Sequence, residues 1–222
     1  LQLIHAHGIK NVRVLDRTFN YNPRRAKELL RLFLEFHPDI RFHLEIHPAL
    51  LSEELKEELS LLPKGLLHLE AGIQSLREPV LEKSRRMGKL SDALDGLRFL
   101  CALPNMETHA DLIAGLPLYH LHEIFEDVRT LAEYAAGEIQ LESLKLLPGT
   151  EMRRRAEESG IKYSPLPPYE VLQTHEINVS ELQTARQLSR LLDGFYNTPA
   201  WQALTRELIL NDEQFLIVFL HI

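Results

Sequence analysis

The sequence predicts an α/β protein: a partial (β/α) TIM-like barrel of about five parallel strands with a C-terminal helical extension. Short apolar-rich runs alternate with longer helical patterns about five times over residues 10–160, the rhythm of βα units whose right-handed crossovers leave neighbouring strands parallel. Within each short run, apolar residues alternate with polar ones, which marks strands with one fatty and one polar face. With 222 residues, 45% of them hydrophobic, the chain can bury one sizeable core and carry an appendage.

Residues 1–8 read as the last turns of a helix capped by Gly8, so the natural beginning is expected upstream. Residues 12–16 form the first strand. The helix at 23–36 takes Asn22 as its cap and proline at its first position, where the missing N–H is no loss. Strand 41–47 precedes a helix at 52–61. Strand 66–71 precedes helical stretches at 79–86 and 91–102. Strand 108–113 leads to helix 121–136, and strand 139–146 to helix 151–159. From Tyr163 the run Ser-Pro-Leu-Pro-Pro-Tyr169 cannot continue a helix and reads as a linker. Residues 180–195 and 199–210 are helical in pattern, while periodicity leaves 215–222 between strand and truncated helix. The expected division is a barrel portion over 1–162, with linker and extension over 163–222.

Composition narrows the partners. The net charge is −7, with 25 Lys and Arg dispersed among 32 Asp and Glu, which argues against nucleic acid and anionic membrane. No apolar run approaches the roughly 20 residues of a membrane span. The single cysteine, Cys101, excludes a disulfide or a thiolate cluster within this chain and points to a cytoplasmic setting.

The polar faces carry the functional signal. In Arg41-Phe-His-Leu-Glu-Ile-His47, the residues His43, Glu45 and His47 alternate with Phe42, Leu44 and Ile46. The same pattern sets His68 and Glu70 against Leu67 and Leu69, and it recurs at His109, Asp111, Gln140 and Glu142. Helices cover the apolar faces, so the acids and imidazoles line the inner face, where burial without partners is costly. A wet cavity for a polar ligand is the expectation, in contrast to a barrel packed with branched aliphatics.

Specific strings carry a resemblance. Glu70-Ala-Gly-Ile-Gln-Ser75 and Asp111-Leu-Ile-Ala-Gly-Leu-Pro117 resemble the fourth and fifth barrel strands of radical S-adenosylmethionine (SAM) enzymes. They are most similar to the oxygen-independent coproporphyrinogen oxidase type and to cobalamin-domain-linked members such as the anaerobic Mg-protoporphyrin IX monomethyl ester cyclases. Glu45-Ile-His-Pro48 resembles the third strand and Leu146-Leu-Pro-Gly-Thr150 the close of the sixth, so the likeness spans residues 10–155 in order. It implies that Glu45 contacts SAM, Gln74 its ribose, Asp111 the ribose hydroxyls, and Arg86, twelve positions after Gln74, its carboxylate. Gly72, Gly115 and Pro117 would shape the strand ends so that backbone approaches the adenine. The residue types suit a zwitterionic sulfonium ligand carrying a diol.

Departures from the family accompany the likeness. Its Cys-x3-Cys-x2-Cys loop for a [4Fe–4S] cluster is not in these residues, which implies a fragment without the cluster ligands and inactive as it stands. Leu15-Asp16-Arg17-Thr18 stands where relatives carry Gly-Gly-Glu, leaving Asp16 as the substitute contact to the SAM amino group. The intact protein would cleave SAM reductively to a 5′-deoxyadenosyl radical and act, as an oxidoreductase, transferase or cyclase, on a small molecule, with tetrapyrroles among the candidates and cobalamin upstream. Arg153, Arg154 and Arg155 would suit an anionic substrate, although three arginines opening a helix also fit a solvated face. Two other readings stand beside this one. One is a divalent-metal barrel hydrolase using His43, Glu45, His47 and Asp111; the other is a non-catalytic barrel that docks a partner chain. An exposed sheet edge, and dimerisation through it, fits the first and last readings alike.

Overall fold

In a computed structural model, residues 1–212 and 214–219 are described. A five-stranded sheet has the order β1-β2-β3-β4-β5: Asn11–Arg13, Arg41–Ile46, Leu67–Gln74, Glu107–Ala114 and Glu138–Ser143. The pairings β1 with β2 and β2 with β3 are parallel, with Val12 opposite Phe42, His43 opposite His68 and Glu45 opposite Glu70. Between and after the strands run α1 (Gln2–Ala6), α2 (Pro23–Leu34), α3 (Glu53–Leu61), α4 (Glu78–Lys83), α5 (Leu90–Ala102), α6 (Leu121–Glu133) and α7 (Glu151–Arg154). This is the α/β partial-barrel class the sequence predicts, with C-terminal helices α8 (Val179–Leu191), α9 (Pro199–Asn211) and α10 (Phe215–Phe219). Among the described residues, no helix is long and apolar enough to cross a membrane. The chain divides into two compact units: Leu1–Ile73 with Gly88–Ala110 and Tyr134–Gly137, and Gln74–Met87 with Asp111–Glu133 and Glu138–Ile222.

In the first unit, α1 closes as its glycine suggests. The Gly8 N–H donates to the His5 carbonyl at 2.9 Å and the Ile9 N–H to the Ile4 carbonyl at 3.3 Å, with Gly8 at φ +69°: a Schellman cap. The first strand is shorter than expected. Once the Val14 N–H has met the His43 carbonyl, the Asp16 N–H turns back onto Val14, so Asp16 lies outside the strand. The side chain of Asn22 caps α2 by accepting from the Arg25 N–H, and Ala26, Leu30 and Phe33 form the buried stripe of that helix. Phe33 stacks on Phe42 of β2 at 4.1 Å between ring centres. The alternation holds in β2, where Phe42, Leu44 and Ile46 are buried and Arg41, His43 and Glu45 half-buried. At His47 it ends. That residue is buried, and Asn20 brackets its backbone, donating to its carbonyl and accepting from its N–H at 2.9 Å each.

In the second unit, the run read as a linker joins a short hairpin, β6 (Lys162–Tyr163) and β7 (Val171–Gln173). β7 also pairs outward, its Val171 N–H donating to the Leu144 carbonyl, while the Leu146 N–H donates to Tyr169. The helix expected at 151–159 breaks after Arg154 into a 3₁₀ turn, Glu157–Ser159. After α8 a π turn, Leu192–Tyr196, delivers Asn197 to β5. There its amide accepts from the Ile139 N–H at 2.9 Å and donates to the Ile139 carbonyl at 3.0 Å, standing in for a neighbouring strand. Of the undecided tail, Phe215–Phe219 is helical and residues 220–222 lie outside the described residues.

Candidate functional site

Four of the expected SAM contacts, Gln74, Arg86, Asp111 and Gly115, belong to the second unit. Gln74 ends β3 at φ +70°, a left-handed conformation that costs a non-glycine residue free energy and persists only where neighbours enforce it. The enforcement follows directly in sequence. Asp127, buried in α6, accepts from the Leu76 N–H at 2.8 Å, the Ser75 hydroxyl at 3.3 Å, Arg77 Nε at 2.9 Å and the Tyr119 hydroxyl at 2.6 Å. Burial pushes the Asp127 carboxyl up from its ordinary value, against the bonds from Tyr119, Leu76 and Arg77 that draw it down. Burial and the Asp127 charge push the Tyr119 phenol well above its usual range.

Beyond this grip α4 ends at Ser84, Arg85 takes φ +55°, and the Arg85 guanidinium meets Glu151 at 2.6 Å. Arg86 is half-buried. Burial lowers its pKa and the Asp111 carboxylate acts in the opposite direction, so the expected carboxylate-binding cation and the expected ribose acceptor influence each other electrostatically. Gly115 follows β4 at φ +91°, and a Cβ there would lie 3.4 Å from Val171, so β7 packs against the place a side chain would take. An open cleft of about 290 Å³ is lined by Lys83, Ser84, Arg85, Pro117, Glu151 and Arg155, among others. Only Arg155 of the three consecutive arginines lines it. The Arg153 guanidinium lies over the rings of Tyr163 and Tyr169 at 5.0 Å each, and Arg154 donates to the Gly149 carbonyl.

Glu45 and Asp16 belong to the first unit. Glu45 lies 3.5 Å from Arg13, and Asp16 accepts from Arg25 at 2.7 Å and from the Thr18 N–H at 3.3 Å, the bond to Arg25 holding its carboxyl below the usual range. The polar face around them converges on histidines. His68 Nε2 is 2.8 Å from His109 Nδ1, His43 stacks on His68 at 4.6 Å, and His43 Nε2 is 2.8 Å from Glu70. Arg41 donates to His68 Nδ1 at 2.7 Å, which fixes that ring with its proton on Nε2 and makes His109 Nδ1 the acceptor. Burial, reinforced by the charges of His109, His43 and Arg41, lowers the His68 imidazole to about 4. Burial would raise Glu70, but hydrogen bonds from His109 and His43 and the charges of His109 and Arg13 hold it at about 2. The set His43, Glu45 and His47 expected of a metal hydrolase does not assemble among the described residues; the nitrogens that converge are those of His43, His68 and His109. Cys101 is a half-buried free thiol, pushed up to about 11 by burial, which suits neither a nucleophile nor a cluster ligand.

Among solved structures, the radical S-adenosylmethionine methyltransferase TsrM from Kitasatospora setae, with cobalamin and a [4Fe-4S] cluster bound, is 19% identical at a TM-score of 0.60, over 81% of this chain and 38% of its own. Streptococcus suis SuiB bound to S-adenosylmethionine is 13% identical at a TM-score of 0.52, over 71% and 36%. Elp3 from the archaeon Methanocaldococcus infernus is 11% identical at 0.57, over 90% and 49%. The chain shares their fold. The chain spans between 36% and 49% of the length of these structures. The profile of a family described as Protein of unknown function (DUF4080) matches residues 157–219, the hairpin and the helices after it. No curated protein matches the chain.

Asp127 was missed by sequence reasoning, although a signal exists. It sits on the apolar stripe of α6 with Ile124, Val128 and Leu131, where a carboxylate needs donors to be tolerated.

Proposed function

We propose that this chain is the SAM-binding portion of a radical SAM enzyme which, as a whole protein, cleaves SAM reductively at a [4Fe–4S] cluster and acts on a small molecule. The observation that carries this reading is the fold shared with a SAM methyltransferase over 81% of the chain, together with the order of the motif residues along the strands: Glu45 late in β2, Gln74 at the end of β3, Asp111 within β4 and Gly115 just after it. The one cysteine of the chain, a half-buried thiol whose pKa burial raises, does not suit a cluster ligand. SAM suits the residues present and would supply an adenosyl group whose carbon–sulfur bond can be broken.

Asp111 accepts from the ribose diol, the Gln74 amide accepts from or donates to it, Arg86 pairs with the ligand carboxylate, and the backbone at Gly115 borders the adenine. A half-buried Arg86 is fitted to this task, because a guanidinium partly stripped of water gains more from a carboxylate than an exposed one. Asp127 acts through the backbone: by holding Ser75, Leu76 and Arg77 it keeps Gln74 in its left-handed conformation. In the other unit, Glu45 and Asp16 are assigned to the ligand ammonium on the resemblance alone. Within the superfamily, the quoted strings favour the coproporphyrinogen oxidase-like and cobalamin-linked group, with residues 1–162 as barrel portion and 163–222 as extension.

Isothermal titration of S-adenosylhomocysteine into the chain tests the reading. The expected result is saturable binding that Gln74→Ala and Asp111→Ala each abolish while the far-UV spectrum is unchanged. Binding that is absent, or indifferent to both substitutions, refutes it.

A further inference from the structure

A second constellation lies in the first unit and makes no use of the residues assigned to SAM. We propose that His43, His68 and His109 form a binding site for one divalent transition-metal ion of the zinc class. Strands β2, β3 and β4 each contribute one imidazole, and a nitrogen from each ring lies within 4.8 Å of the others. The ring centres stand 4.6, 4.9 and 5.5 Å apart.

The outward nitrogens identify the ligand set. His43 Nε2 lies 2.8 Å and His109 Nε2 3.6 Å from the same Glu70 oxygen, and His68 Nδ1 lies 3.7 Å from Glu107. His43 and His109 therefore share a carboxylate, and His68 has one just beyond hydrogen-bond reach, close to the arrangement that orients metal-bound imidazoles and raises their basicity. In this proposal the ion takes the opposite nitrogens, Nδ1 of His43, Nε2 of His68 and Nδ1 of His109. Two of them, on His68 and His109, are 2.8 Å apart and share a proton in the metal-free chain. An ion with nitrogens at about 2.0–2.1 Å in tetrahedral geometry needs them about 3.3 Å apart, an opening of about half an ångström. Three neutral imidazoles with a fourth position open select zinc, cobalt or nickel over magnesium or calcium, which take oxygen.

Arg41 is the internal competitor. It donates to His68 Nδ1 at 2.7 Å, and a His68 that ligates through Nε2 carries its proton on Nδ1 and cannot accept that bond. Metal binding turns Nδ1–H onto Glu107 and leaves Arg41 to Glu107, with which it is already paired. Entry is through an open cleft of about 330 Å³ lined by Asn11, Val12, Arg13, Arg41, His43 and His68.

Titration of the metal-free chain with Co²⁺, followed by its visible d–d bands, and with Zn²⁺ in competition tests the site. The expected result is one ion per chain in a four-coordinate spectrum, no response to Mg²⁺, and affinity lowered at least about tenfold by His68→Gln or His109→Gln. Arg41→Gln is expected to tighten binding, which a merely adventitious surface histidine pair would not show. The proposal is overturned if the folded chain takes up no Co²⁺, or if the affinity is unchanged in both histidine variants. Should those variants fail to fold, Arg41→Gln decides: tighter binding supports the site, while unchanged or weaker binding overturns it.

Discussion

Replacing Asp127 with alanine removes the acceptor of four donors at once. Three of these, the Tyr119 hydroxyl, the Ser75 hydroxyl and the Leu76 N–H, lie at buried or part-buried positions; Arg77 retains Glu126 at 2.7 Å as an alternative partner. Stranding a buried donor costs about 1–3 kcal/mol, and breaking a buried charged network by removing one member about 3–5 kcal/mol. Discounting Arg77, Asp127→Ala is expected to cost about 3–5 kcal/mol, a large share of the roughly 5–15 kcal/mol that holds a domain folded. Asp127→Asn keeps the shape and one acceptor oxygen. Because burial already opposes the charge, the neutral isostere is expected to cost only about 1–2 kcal/mol, the lost-bond scale. Urea denaturation of both variants, with hydrogen exchange at residues 74–78 as the local probe, measures the two costs. A cost below about 1 kcal/mol for alanine, or an asparagine variant as unstable as the alanine one, would show that acceptor geometry at Asp127 does not hold this turn.

Other outcomes follow from the same reasoning. The folded pKa of His68 lies at about 4, below its ordinary 6.5, so it binds protons less tightly folded than unfolded. Its contribution is complete above pH 6.5 and is lost as pH falls toward 4. The loss is up to about 3 kcal/mol at 1.36 kcal/mol per unit, and denaturation at several pH values should show His68→Gln flattening it. Gly96→Ala ought to stabilise a helix by about 0.5–1 kcal/mol. In α5, however, the new Cβ would collide with the Pro48 carbonyl oxygen, so a melting temperature below that of the parent is expected. Asn197→Ala strips β5 of both bonds at Ile139 and is expected to cost about 1–3 kcal/mol, read by denaturation and by faster exchange of the Ile139 amide.

Much of the fold was legible because period-two alternation and helix caps are local signals. Asn22 and the proline after it marked the start of α2, and the alternation in β2 and β3 put His43, His68 and Glu70 on one face. The hairpin at residues 162–173 was hidden, because strands of two and three residues carry no period and their pairing with residues 144–146 is nonlocal. The strand reading of His47 failed for a related reason: Asn20, distant in sequence, captures its backbone and ends the alternation. At the candidate site the residue types could be read in advance, but their supports could not. The donors to Asp127 come from residues 75–77 and 119, and the left-handed backbone of Gln74 is a consequence of that convergence.

A crystal structure of the chain soaked with S-adenosylhomocysteine tests the central claim most directly. The expected result is density with the ribose diol in hydrogen-bond reach of Gln74 and Asp111 and the carboxylate on Arg86. Density elsewhere, or none at saturating ligand, would contradict the assignment of these residues to SAM.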